Sequence, residues 1–189
     1  CLKIAMEAGG IAPFVLNATQ WDLHNRLEQQ RSCTGKVRAI VLKPRREGMS
    51  TYIGARFFHK TVYGDGLRTR ITTHLDKSTQ ALFRMVKLFH REMPDWLRPT
   101  AGEDSANSLS FPKNHGRYDL STARSSDAGR GELTHLFHGS EVAYWPNAED
   151  VVAAGVETVG DVLLGRDVAP ALLGDDVDQD RRVQRGAPG

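Results

Sequence analysis

Arg38-Ala39-Ile40-Val41-Leu42-Lys43-Pro44-Arg45-Arg46-Glu47-Gly48-Met49-Ser50-Thr51 is the stretch on which the fold turns. Its first five residues, Arg38 to Leu42, form a short apolar run that fits a buried strand feeding a loop. The loop is basic and ends at Ser50, where a mixed amphipathic stretch, Ser50 to Tyr63 (STYIGARFFHKTVY), begins a helix. Gly64-Asp65-Gly66 then marks a turn, and Arg70 to Thr73 is a second β-like run. Strand, loop, helix, strand is the order of a βαβ unit.

The flanking segments extend the same alternation. Upstream, Asn17 to Gln30 (NATQWDLHNRLEQQ) sets Trp21, Leu23, His24 and Leu27 at near-helical spacing behind Asn17, a good N-cap residue. Downstream, Ser78 to Glu92 puts Leu82, Met85, Val86 and Phe89 on one helical face, and Pro94 stops that helix. Ser108 to Phe111 and Arg117 to Thr122 flank Pro112-Lys113-Asn114-His115-Gly116 and read as a hairpin. A last apolar run, Leu133 to Phe137, leads into His138-Gly139-Ser140-Glu141. No internal repeat is visible, so the expected class is α/β, a layered domain with a mostly parallel sheet.

Composition excludes several functional classes. Lys and Arg number 25 against 23 Asp and Glu, a formal charge of +2, so charge alone names no polyanionic partner. No apolar run approaches the roughly 20 residues of a membrane-spanning helix, and the chain is expected to be soluble. Two cysteines, Cys1 and Cys33, are too few for a disulfide-stapled secreted scaffold, and the start CLKIAMEAGG lacks a basic segment followed by an apolar core. An intracellular protein is expected. The chain starts at Cys1 rather than Met and reads as a fragment whose natural start lies upstream.

From Val159 to Gly189 the alphabet shrinks to Val, Gly, Asp, Leu, Arg, Ala, Pro and Gln. Two readings stand: a flexible tail, acidic and then basic, or GC-rich codons read out of frame. Either divides the chain into a domain over residues 1–158, incomplete at its end, and an atypical tail over 159–189.

Phosphate loops of the pattern G-x-x-x-x-G-K-[ST] cradle phosphates with backbone N–H groups and a lysine, and hold Mg²⁺ through the hydroxyl. Aligned to that pattern, Gly48 is the second glycine and Ser50 the hydroxyl residue, while Met49 stands at the lysine position and Lys43 where the first glycine belongs. The lysine has moved to the start of the loop, from which its four-carbon stem reaches the β- and γ-phosphates, with Arg45 and Arg46 adding charge of the same sign. A solvated basic loop leading into a capped helix is the competing reading. Glu141, behind an apolar strand, suits the carboxylate that orients or deprotonates an attacking water. Ser140 precedes it, where an Asp for magnesium is usual. A lone Glu after a strand is also a common surface residue, so Glu141 gains its weight jointly with the loop.

Taken together, PFVLNATQ, KPRREGMST, ITTHLDKSTQALF, MPDWLRP, LSTA and GRGELTHLFHGSEVAYWPNAED resemble the ATPase domain of the large terminase subunit of tailed bacteriophages, over about Phe14 to Thr158. That resemblance implies a P-loop NTPase fold of the ASCE type and an ATP hydrolase that translocates double-stranded viral DNA into a procapsid. It implies ATP and Mg²⁺ as cofactors, with Gln20 reading adenine and Lys43 as the displaced lysine of a deviant Walker A motif. Arg46 would be that motif's arginine, Ser50 and Thr51 the hydroxyls near magnesium, and Glu141 the Walker B glutamate. Ser140 implies a water-mediated metal contact. The implied partners are double-stranded DNA, the small terminase subunit, the portal protein and further copies of the chain in a ring, without a membrane, in the cytoplasm of the bacterial host. Beyond Thr158 the family's coupling motif and its RNase H-like nuclease domain are not recognisable, so no nuclease activity is expected.

Other residues read more plainly. Asp175, Asp176, Asp178 and Asp180 are solvated charge. His135 and His138, three apart on a strand, point to opposite faces and do not suit a shared metal. Arg124 and Arg130 belong to a Ser/Gly-rich loop, ARSSDAGRG, with phosphate or DNA contact as the alternative, and Cys1 and Cys33 are free thiols. Two further functions compete with the translocase: a helicase-like DNA-dependent ATPase, against which Ser140-Glu141 and WPNAED argue, and an inactive terminase remnant that binds nucleotide or a partner only.

Overall fold

The computed structural model describes residues 2–43, 47–123, 133–146, 148–149 and 160–167. A short antiparallel hairpin, β1 (Lys3–Ala5) and β2 (Ile11–Pro13), comes first, an element that the sequence does not announce. Helix α1 (Ala18–Thr34) follows Asn17, which caps it as expected: its side chain accepts from the Gln20 N–H, and the Gln20 side chain accepts from the Asn17 N–H. The core then forms from β3 (Arg38–Lys43), α2 (Met49–Tyr63), β4 (Arg68–Thr73), α3 (Asp76–Arg91), the antiparallel pair β5 (Ser108–Phe111) and β6 (Gly116–Thr122), β7 (Leu136–Ser140) and β8 (Asp161–Asp167).

Six strands make one sheet in the order β3-β8-β7-β4-β6-β5, parallel throughout except for edge strand β5. This is the expected α/β class. Helices α2 and α3 cover one face. Ile53, Phe57 and Phe58 of α2 and Phe83, Val86 and Phe89 of α3 meet Ile71, Leu109, Tyr118, Leu136 and Leu163 there. The expected α3 face is rotated slightly, since Phe83 is buried while Leu82 and Met85 lie at its margin. On the other face Phe137, Val162 and Leu164 pack with Trp145 and Ala123.

Strand β8 corrects the division at residue 158. Asp161–Asp167 lies inside the sheet between β3 and β7, with Val162, Leu163 and Leu164 at 2%, 0% and 6% exposure. The physical reason is that a parallel strand is buried on both faces, so a consecutive Val-Leu-Leu run serves it and no polar alternation is needed. A reduced alphabet that looks poor for a core is adequate for one such strand. Strand β7 also sits three residues later than its apolar run suggests, ending on Ser140 rather than Phe137. Among the described residues no helix is long and apolar enough to cross a membrane.

Candidate functional site

In a parallel sheet the loops beyond the strands' carboxyl ends share one rim, where ligands bind in open α/β folds. Here that rim carries the loop after β3, the His74 turn after β4 and Glu141 after β7. Register sets their spacing. Val41 of β3 and Ser140 of β7 both lie level with Gly165 of the intervening β8, and Lys43 pairs with Asp167 two residues further on. Two inter-strand steps put the β3 and β7 ends about 10 Å apart.

The side of the rim that follows β3 is built by α1 and α2. Gly48, in the left-handed region at φ 69°, turns the chain into α2, and its first-turn N–H groups have no side-chain cap. Such a terminus favours anions. Gln20 is buried and braces this turn: its Nε2 donates to the Gly48 carbonyl at 2.8 Å and its Oε1 accepts from Asn17 N at 3.0 Å. A Cβ at position 48 would stand 2.6 Å from Gln20 Nε2, so both conformation and space call for glycine. Met49 is buried in the core and offers the rim no charge, while Ser50 and Thr51 are half-buried in the first turn. The backbone of Lys43 ends β3 at the rim. Arg45 and Arg46 lie outside the described residues, as do Arg124, Arg130, the acidic cluster from Asp175 to Asp180, and Cys1.

Across the rim, Ser140 is buried and its carbonyl accepts from Trp145 Nε1 at 3.1 Å. Gly139 lets this segment close, because a Cβ there would come within 2.7 Å of Leu164 and 3.0 Å of Trp145. Glu141 then adopts φ 59°, unusual for a residue with a side chain, and opens the 3-10 turn Val142–Tyr144. Its Oε2 lies 2.9 Å from Nδ1 of His74, a residue that sequence reasoning does not single out. The only signal for His74 is its place behind an apolar strand, which many surface histidines share. Among the other histidines, His135 precedes β7 and its Nδ1 accepts from Arg68 N, while His138 is fully buried beside Phe57. Cys33 is an exposed free thiol.

A cleft of about 860 Å³ opens at the opposite end of the strands, between α1 and α2. It holds a network rather than phosphate-binding chemistry. Arg56 pairs with Glu28 at 2.5 Å and donates to the Tyr52 hydroxyl, and Lys60 pairs with Asp161, whose other oxygen accepts from Val37 N. Burial pushes Lys60 below the ordinary lysine range, with Asp161 opposing that shift, and pushes the Tyr52 hydroxyl up. Burial acts to raise Glu28, but its hydrogen bond and charge contact with Arg56, together with the charges of His24 and Arg31, outweigh this and hold it low.

No protein-family profile matches the chain, and no curated protein does. Solved structures do. The chain is similar to the HK97 bacteriophage large terminase, with a TM-score of 0.69 at 15% identity over 96% of this chain and 39% of that one. It is similar to the ATPase domain of the Thermus phage P74-26 large terminase (TM-score 0.58, 16% identity, 84% of this chain and 66% of that one). A third similar structure is the large terminase of a thermophilic bacteriophage in complex with ADP (TM-score 0.54, 14% identity, 93% of this chain and 51% of that one). The chain thus spans about two fifths of the HK97 protein and half of the ADP-bound terminase. At these identities the likeness establishes the fold: an α/β domain with a mostly parallel sheet flanked by helices, as in these large terminases.

Proposed function

We propose that this chain is the ATP-hydrolysing motor domain of a phage large terminase, working with Mg²⁺ to move double-stranded DNA into a procapsid. The observation that carries the reading is the placement of two rim elements. The glycine-turned start of α2 follows β3 and Glu141 follows β7, so both leave the same rim on either side of β8, which separates those two strands. Phosphoryl transfer to water needs that pair: a cationic, N–H-rich cradle for the phosphates and a carboxylate for the nucleophile.

In this reading the α2 N-terminus and Gly48 bind the β- and γ-phosphates, and Lys43, Arg45 and Arg46 bring the charge that Met49 lacks. Ser50 and Thr51 would hold Mg²⁺ through their hydroxyls, with Ser140 as a further contact through water, and the bound metal would supply charge to offset that developing on the phosphates. Glu141 takes the proton of the attacking water or holds that water in line. Gln20 spends its amide on Asn17 and Gly48 here, so it reads adenine only by exchanging the Gly48 carbonyl for the base. Double-stranded DNA, the small terminase subunit, the portal protein and a ring of copies in the bacterial cytoplasm are the partners and setting this role requires.

Nucleotide affinity and turnover, measured separately, test the reading. Glu141→Gln abolishes hydrolysis and leaves ATP affinity within about threefold, because the cradle is untouched. Unchanged turnover refutes the role of Glu141, and binding without turnover in the unmodified chain identifies a remnant.

A further inference from the structure

Glu141 is held on both sides of its peptide. Ser140 before it is locked by Trp145, and the 3-10 turn after it brings the Tyr144 ring to 5.5 Å from the His74 ring. His74 Nδ1 and Glu141 Oε2 are both shut off from water, and although they lie 2.9 Å apart neither has an aligned hydrogen bond, with the other or elsewhere. Two buried polar atoms with no other partner settle against each other, and a slight rotation of either side chain aligns the N–H.

The turn that presents His74 is itself braced. Thr73 Oγ1 lies 2.6 Å from Thr79 Oγ1, both hydroxyls are within 2.9 Å of the Leu75 carbonyl, and the Thr73 carbonyl accepts from Ala123 N at 2.8 Å. Thr72 pairs with Gly139 in the sheet, so the ends of β4 and β7 move as one. His74 is therefore fixed relative to Glu141 by sheet register and by buried hydroxyls, without help from a ligand.

We propose that His74 is the positioning residue for Glu141: its Nδ1–H holds Oε2 and so leaves Oε1 as the oxygen that meets the attacking water. This rests on the hydrolytic role of Glu141 argued above. A carboxylate with one oxygen tied loses its rotation about the Cγ–Cδ bond, and an oriented base avoids spending part of the barrier on finding its pose. His74 touches neither nucleotide nor water in this scheme. Its loss acts on the chemical step and spares ATP binding.

The test uses the full chain and follows turnover together with affinity for a fluorescent ATP analogue. His74→Ala lowers kcat about tenfold or more while KM for ATP stays within about twofold. His74→Asn places an amide N–H near the former Nδ1 and restores most of the loss, whereas His74→Gln mimics Nε2 and does not. A kcat within twofold of the parent for His74→Ala, or equal behaviour of the Asn and Gln variants, overturns the proposal. Glu141→Gln separates the two levels: if it leaves turnover intact the hydrolytic reading itself fails, and if it stops turnover while His74→Ala does not, only the positioning role fails. Nitrogen NMR of labelled histidine gives a readout independent of turnover. His74 carries its proton on Nδ1 in the parent chain and shifts on Glu141→Gln; a His74 resonance that ignores this substitution also overturns the proposal.

Discussion

Replacing Gly48 by alanine tests the architecture of the loop between β3 and α2 without touching its charges. The glycine sits at φ 69°, where a residue with a Cβ costs about 1–2 kcal/mol. The new methyl would also stand 2.6 Å from Gln20 Nε2, pushing aside a buried amide and breaking its 2.8 Å bond to the Gly48 carbonyl. Leaving that amide unpaired adds about 1–3 kcal/mol, so the total is about 2–5 kcal/mol. For a domain of this size that lowers Tm by about 4–20 °C. Urea unfolding followed by circular dichroism measures it directly, and a second variant isolates the cause. Gln20→Ala removes the obstructing amide, so in the Gly48→Ala background it costs less than it does alone, by at least about 0.5 kcal/mol. A Gly48→Ala chain within about 0.5 kcal/mol of the parent, or strict additivity with Gln20→Ala, would refute the claim that α1 braces the loop through this contact.

Three further outcomes follow from the same geometry. Leu163→Ala, at a fully buried position of β8, destabilises the chain by about 2–5 kcal/mol in a single cooperative transition; a change below about 0.5 kcal/mol would place β8 outside the core. Glu28, held by Arg56 below its ordinary value of 4.5, stabilises the fold above that value and loses this contribution as pH falls through its lower folded value, so Glu28→Gln flattens the acid limb of a stability-versus-pH curve below about pH 4.5; an unchanged limb refutes the pairing. Lys43→Ala weakens ATP binding more than Met49→Ala does when both are compared below their unfolding temperatures, since Met49 packs in the core and carries no charge; calorimetric titration decides, and the reverse order returns the loop to a mere connector.

Strand–loop–helix–strand over Arg38 to Thr73 is legible because each element announces itself locally: an apolar β-rich run, a basic loop, an amphipathic stretch, a glycine turn. Asn17 likewise declares α1, through a cap that depends on residues three apart. The β1–β2 hairpin is not legible, because strands of three residues are too short for any period to register. Strand β8 escapes for a different reason. Its apolar triplet is no longer than many loops carry, and only the slot between β3 and β7, formed by residues more than a hundred positions earlier and by the neighbouring strand, makes Val162 to Leu164 a strand at all.

The site divides along the same line. Gly48, Ser50 and Glu141 can be proposed from the sequence because each follows a strand and belongs to a short pattern. His74 cannot, since nothing in ITTHLDKST distinguishes it until β4 and β7 are set side by side in parallel register with Thr72 opposite Gly139. Gln20 reads as a ligand contact from the sequence, while its engagement by Asn17 and Gly48 is visible only once α1 lies along the start of α2. Sequence spacing thus finds groups placed by their own loop, and misses those placed by the neighbouring strand. In a parallel sheet, where every functional loop leaves the same rim, the second kind is where the orientation of the first is decided.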